Sequence, residues 1–287
     1  MNLLIRADSS STIGLGHIMR DLVLAQQYPD AAILFTCQDL SGNSIDSIPY
    51  PVHLLKSNDP EELIALIRSY KTDLLIIDHY GIDEAFEKQI KEQTGVSILC
   101  LDDTYVKHHC DILLNHNISA DKSRYTGLVP PHCILRCGGE YTLIRDEFRS
   151  EKERKREKIY DIFLSMGGTD PSNTTLRILK TLSDTYRICV VTTSGNPHLS
   201  ELETFVQGKP NISLFVNSNT IAQLLHQSRL ALITPSVMVH EVLFMEIPFI
   251  ALKTAPNQED IFHYLKERNY PVLEEWDADA VTRFYNA

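Results

Sequence analysis

Asp8, Gly14, Gly16 and His17 follow a short apolar run at Leu3-Leu4-Ile5, and Ile18, Leu22 and Ala25 then recur at helical spacing. The stretch reads as strand, loop and helix, with the histidine at the helix start. Glycines on such a turn let a ligand approach the backbone, and the free N–H groups of a first helical turn favour an anion. This is chemistry for holding a phosphorylated substrate against an imidazole, and it makes Arg6, Asp8, Gly14 and Gly16 the expected substrate contacts around His17. It is not a dinucleotide fingerprint, because Met19 stands three after Gly16, nor a P-loop, because no Gly-Lys-Ser/Thr follows.

The second half of the chain repeats the theme. Gly167-Gly168 follows the apolar run Ile159–Leu164, and Ser236 and Val237 follow the run Leu230–Thr234 and open another helical pattern. Both are places for backbone amides to meet a phosphate. Glu241 lies within that helix, and Asn257 and Gln258 follow Pro256 in a loop where amide side chains can read polar groups of a ligand.

Asp78-His79-Tyr80 and Asp102-Asp103 end apolar runs, where ligands of parallel sheets collect. Asp102-Asp103 could hold Mg²⁺ against a diphosphate, or cap the turn that follows. His108, His109, Cys110, His132, Cys133 and Cys137 are ligand types, but they lack the paired C-x-x-C spacing of a zinc knuckle. The expectation is no metal and no cofactor.

Strands are predicted near Leu3–Ala7, Ala31–Cys37, Val52–Leu55, Leu74–Asp78 and Ser97–Asp102, with helices from Gly16 and over Pro60–Tyr70 and Asp83–Gln93. The alternation resumes at Ile159, with strands over Tyr186–Thr192, Ile212–Phe215, Leu230–Thr234 and Phe249–Leu252. Near-continuous apolar strands separated by amphipathic helices predict an α/β protein with parallel sheets covered on both faces. Arg149 to Lys158 holds no apolar side chain. That run predicts an exposed linker over 149–158 between an N-terminal Rossmann-like domain, 1–148, and a C-terminal one, 159–287.

The 287 residues carry a net charge of −11, which argues against a nucleic-acid groove but permits one small anionic ligand held by backbone amides. The six cysteines are scattered as reduced buried thiols would be, and nowhere do eighteen apolar residues run together. A cytoplasmic protein is expected, with no membrane partner and most simply a monomer.

Six segments in order carry a family resemblance: Arg6–Ser11 through Gly14–His17, Leu74–Gly81, His108–Asn115, Gly127–Pro130, Met166–Asp170 and Asn257–Glu259. The chain resembles the UDP-sugar hydrolases of pseudaminic acid biosynthesis, relatives of the MurG-type transferases. The resemblance implies the GT-B architecture, two Rossmann-like domains with parallel sheets facing a cleft. It also implies metal-independent, inverting removal of UDP from UDP-2,4-diacetamido-2,4,6-trideoxy-β-L-altropyranose. His17 matches the family's catalytic histidine, and Tyr80 and Asn257 match its active-site residues. Glu241 corresponds to the glutamate that accepts hydrogen bonds from the ribose in GT-B proteins.

An imidazole with an ordinary pKa near 6.5 suits a base for water, and UDP is a good enough leaving group that charge stabilisation can replace an acid. His17 is therefore expected as base. The residues also permit His17 to bind the diphosphate while Asp8 or Asp78 activates water. Two further functions share the UDP-binding features: a GT-B glycosyltransferase using a UDP-amino-sugar donor, and a non-catalytic nucleotide-sugar binding protein.

Overall fold

Apolar runs ended by a polar residue become the strands. In the computed structural model, which describes all residues but 11, 14, 15, 183, 185 and 287 and only the backbone of 286, the chain divides into two compact units, Met1–Leu143 and Ile144–Ala287.

The first unit holds β1 (Asn2–Ala7), α1 (Gly16–Ala25), β2 (Ala32–Gln38), β3 (Val52–Leu55), α2 (Pro60–Tyr70), β4 (Leu74–Asp78), α3 (Glu84–Thr94), β5 (Ser97–Leu101), β6 (Ile112–Asn115) and β7 (Ile134–Cys137). Its seven strands are all parallel, in the order β3-β2-β1-β4-β5-β6-β7. Period-two alternation feeds both faces: Leu3, Ile5 and Ile76 pack in one core, Leu4, Leu75 and Ile77 in the other. Asp59 and Asp83 cap α2 and α3 by accepting from Glu61 N and Phe86 N, so those helices start where side-chain acceptors replace missing backbone partners. The order reverses between β1 and β4, and at such a switch point loops diverge to opposite faces and leave a crevice beyond the strand ends. Asp8 follows β1 there, and Asp78 ends β4.

The second unit holds α4 (Asp146–Lys152), β8 (Tyr160–Ser165), α5 (Thr174–Thr181), β9 (Ile188–Thr192), α6 (Leu199–Val206), β10 (Ile212–Val216), α7 (Ile221–His226), β11 (Ser228–Ile233), α8 (Met238–Phe244), β12 (Phe249–Leu252), α9 (Glu259–Glu267), β13 (Val272–Leu273) and α10 (Asp279–Asn286). Its parallel sheet runs β10-β9-β8-β11-β12-β13, so its switch point lies between β8 and β11. Gly167-Gly168 and Ser236-Val237 are the loops on either side.

The boundary expected after residue 148 falls instead between Leu143 and Ile144. Arg149 to Lys152, expected in an open linker, is the second half of α4, which packs on α7. Phe148 anchors that helix fully buried, and Glu151 is buried against Arg156 and His226. Charge run alone does not reveal a carboxylate buried by its own ion pairs. Among the described residues no helix is long and apolar enough to cross a membrane.

Candidate functional site

β4 delivers Asp78 to the switch point, where it is buried, and the first turn of α1 lays His17 against it. His17 Nδ1 lies 2.6 Å from Asp78 Oδ1. One helical turn on, Arg20 donates from Nε to Asp78 Oδ2 at 2.6 Å and from Nη2 to Oδ1 at 2.5 Å. Burial alone would favour a neutral acid, but Arg20 and then His17 hold the Asp78 carboxyl below the usual carboxylate range. An ionised carboxylate can only accept, so Nδ1 carries the proton and the 3.4 Å approach of Arg20 to Nδ1 is not a bond. In the neutral ring Nε2 therefore keeps its lone pair, and the ring's hydrogen bond to a described residue is through Nδ1.

Tyr80 sits two residues past Asp78 and is 63% exposed, whereas His17 is 6% exposed. Its ring meets the His17 ring edge-on, centroids 4.7 Å apart at 79°. Its hydroxyl donates to Asp103 Oδ1 at 2.9 Å, and partial burial with the Asp103 charge pushes the phenol up to about 12. Asp103 Oδ2 accepts from Arg20 Nη1 at 2.9 Å. Beneath them Asp21 is fully buried with no hydrogen bond to either oxygen. Burial, then the Asp78 charge, pushes its carboxyl well up.

Other residues expected here take different places. Arg6 is 0% exposed and forks onto Asp8, Nη1 to Oδ1 at 2.5 Å and Nη2 to Oδ2 at 2.8 Å, with Asn58 also on Nη2. Asp8 accepts further from Gln38 N at 2.7 Å, and its Oδ2 lies 3.1 Å from His79 Nε2. Burial is outweighed by His79, Arg6 and Gln38, and Asp8 stays far below the usual carboxylate range. Both residues are therefore structural ties under the crevice rather than the expected substrate contacts, and Asp8 is too weak a base to activate water. Gly14 lies outside the described residues. Gly16 opens α1, and a Cβ there would meet nothing within 4 Å, so nothing in the fold demands its bareness.

Asp102 caps its own turn, accepting from Thr104 N, Thr104 Oγ1, Tyr105 N and Tyr125 Oη. Glu87, Cys100 and His108 bring ligand-type atoms within 4.8 Å of one another. There Glu87 accepts from Cys100 Sγ at 3.2 Å, His108 Nδ1 at 2.7 Å and His109 N at 2.5 Å, while His108 Nε2 is buried without a hydrogen-bond partner, 3.9 Å from Asp102 Oδ2. Burial opposes a charged His108, but Asp102 and Glu87 flank the ring and lift it to about 9. A folded value above the unfolded one gives stability that is complete below about 6.5 and lost as pH rises through about 9. The unfolding free energy of the wild type, from urea titrations, is expected to fall between those pH values by on the order of 3 kcal/mol more than that of His108→Gln. Parallel profiles would remove His108 from that role.

In the second unit Gly167 has φ +90, a backbone that disfavours any side chain, and a Cβ on Gly168 would stand 2.9 Å from Thr193 Cγ2. The helix after this loop is not open to an anion: Asp170 already accepts from Thr174 N at 2.9 Å and Thr175 N at 2.8 Å. At the facing loop no side chain caps α8, and Ser236 bonds only within its turn, to Thr234. Glu241 is 3% exposed, with Oε1 on Arg145 Nε at 2.7 Å, and burial pushes its carboxyl up despite that partner. Asn257 is exposed on a short 3₁₀ turn. The Gln258 amide oxygen accepts from Thr254 N at 2.8 Å and Ala255 N at 3.2 Å, within its own turn. Beside this turn lies a 410 Å³ cavity lined by Thr174, Arg177, Leu252, Thr254 and Trp276 among others.

Arg20 and Arg145 were missed as site residues by sequence reasoning, and Asp103 was read as a strand-end carboxylate without its partners Arg20 and Tyr80. Arg20 had one signal, its position one turn after His17 on the same helix face.

No family model matches the chain. Among solved structures, Acinetobacter baumannii MurG matches 100% of this chain and 90% of its own with a TM-score of 0.62 at 10% identity. Anabaena HepE, solved with UDP, matches 100% and 89% with a TM-score of 0.62 at 12% identity. Two parallel-sheet units of these topologies place the protein in the GT-B structural class. A Campylobacter jejuni protein, UDP-2,4-diacetamido-2,4,6-trideoxy-β-L-altropyranose hydrolase, is 48% identical over 272 residues, 95% of this chain and 98% of the relative. The chain belongs to the family of that hydrolase. A Bacillus subtilis relative, the spore coat polysaccharide biosynthesis protein SpsG, is 22% identical over 269 residues, 90% of this chain and 79% of its own.

Proposed function

We propose that this protein hydrolyses UDP-2,4-diacetamido-2,4,6-trideoxy-β-L-altropyranose to UDP and the free sugar, in pseudaminic acid biosynthesis, as a cytoplasmic monomer. Family membership supports the substrate. The observation that carries the chemistry is the His17–Asp78 pair, which leaves one ring nitrogen protonated on a buried carboxylate and the other bare. Water attacks the anomeric carbon from the face opposite UDP, Nε2 takes its proton, and the C–O bond to UDP breaks, so configuration inverts. Asp78 stabilises the imidazolium that results, as the carboxylate does in a hydrolytic triad. UDP departs as an anion that the backbone at Gly167, Gly168, Ser236 and Val237 receives, and Glu241 accepts from the ribose through Oε2. Asn257 reads the sugar. No metal is assigned, since Asp102 is already satisfied by its own turn. The six unpaired thiols suit a reducing compartment.

The test is incubation of the purified protein with the UDP-sugar in H₂¹⁸O without any acceptor. UDP release with ¹⁸O on the sugar and inverted anomeric configuration is expected. Release only with an acceptor, or ¹⁸O on the phosphate, overturns the assignment. Gly16→Ala is expected to leave stability unchanged or raised by up to about 1 kcal/mol while KM rises several-fold, because the space it fills is kept for the ligand. Unchanged steady-state kinetics would show that no ligand uses that space.

A further inference from the structure

Four side chains from three chain segments close on one guanidinium. Asp78 joins His17 to Arg20, and Asp103 joins Tyr80 to the same Arg20. The His17 and Tyr80 rings then meet edge to face, which completes a circuit with no gap. Arg20 is the only member that touches both carboxylates, and its Nε and Nη2 fork onto Asp78 while Nη1 reaches Asp103. Its side chain is 13% exposed, so these pairs are poorly screened.

We infer that Arg20 is the positioning residue of this site, setting the orientation of His17 and of the Tyr80 hydroxyl together through Asp78 and Asp103. The inference rests on the hydrolase reading only for what is positioned, not for the circuit itself. Because Tyr80 donates its proton to Asp103, its oxygen offers lone pairs to anything in the crevice. His17 Nε2 likewise offers a lone pair. One guanidinium thus aligns two acceptors, and a water has two hydrogens to give. Replacing Arg20 by lysine keeps a charge but loses the fork that spans both carboxylates.

The circuit has an electrostatic signature as well. The groups facing His17 are Asp78 from β4, Arg20 and Asp21 from α1, Tyr80 after β4, and Asp103 through Arg20. Arg20 offsets the Asp78 charge, so without it Asp78 faces His17 alone and favours the imidazolium.

The experiment follows the His17 ring by ¹⁵N and ¹H NMR titration of the full protein without substrate, alongside kcat and KM. In Arg20→Gln the His17 pKa is expected to rise by about one unit, the acid limb of kcat to move with it, and kcat to fall by about ten- to a hundred-fold with KM within about three-fold. In Arg20→Lys the pKa is expected to stay near the wild-type value while kcat remains depressed. Tyr80→Phe should cost much less in either Arg20 background than in the wild type. Asp103→Asn, which spares the Arg20–Asp78 fork, should lower kcat without moving the His17 pKa, and it serves if the Arg20 variants do not fold. An unmoved His17 pKa in folded Arg20→Gln, full recovery of kcat by lysine, or Asp103→Asn at wild-type kcat each overturns the inference. The titration reads the ring whether or not the UDP-sugar is the substrate, so failure of the circuit and failure of the hydrolase reading are separable.

Discussion

His17→Asn is expected to lower kcat by about a thousandfold while the affinity for UDP stays within about three-fold. The reason is the division of labour on the ring. Nδ1 is committed to Asp78, so Nε2 is the group left to take a proton from water, and asparagine has no basic nitrogen to replace it. The nucleotide is assigned to loops of the other unit, so its ground-state contacts do not pass through this side chain. Arg20 keeps its fork on Asp78 in the variant, so the fold around the crevice is retained. Steady-state kinetics with isothermal titration of UDP checks both halves, and a kcat within tenfold of wild type would strip His17 of the role of base.

Asp78→Asn should cost nearly as much, about a hundred- to ten-thousand-fold in kcat. Its amide can donate to Nδ1, which drives the ring proton to Nε2 and leaves the imidazole unable to accept. The substitution also leaves Arg20 buried beside a neutral amide, so some loss of stability is expected in parallel. The two effects separate by pH. With the carboxylate gone, the His17 imidazolium loses its partner and the acid limb of the residual activity moves to lower pH. An activity profile that keeps its acid limb in place would show that Asp78 packs against His17 without tuning it.

Strands were the most legible part of the chain. Val52–Leu55, Leu74–Asp78 and Phe249–Leu252 all have the bounds the sequence predicts; the last two are buried throughout, where a run covered on both faces needs apolar residues, whereas Val52–Leu55 is a sheet edge with His53 and Leu54 exposed. The helix over Pro60–Tyr70 was equally plain, with aspartate as cap and proline in its first turn. α4 was hidden because Glu151 is buried by pairs with Arg156 and His226, which composition reads as a solvated run. In the site, His17 and Tyr80 announced themselves through strand ends and glycines. Asp103 was legible as a strand-end carboxylate but its partner Arg20 was not, because the two lie far apart in the chain and meet only in the folded sheet. Arg6 misled for the opposite reason, since its place in a recognisable motif reflects a buried tie to Asp8.

His79 lies between Asp78 and Tyr80 and is fastened at both nitrogens, Nε2 to Asp8 and Nδ1 as acceptor from Gly81 N at 3.0 Å. The backbone on either side of Tyr80 is thereby clamped, although the ring itself faces solvent. With its hydroxyl on Asp103 and its ring edge-on to His17 as well, Tyr80 is held at the backbone and at the tip, so less conformational entropy is lost when a sugar arrives than for a freely rotating exposed phenol.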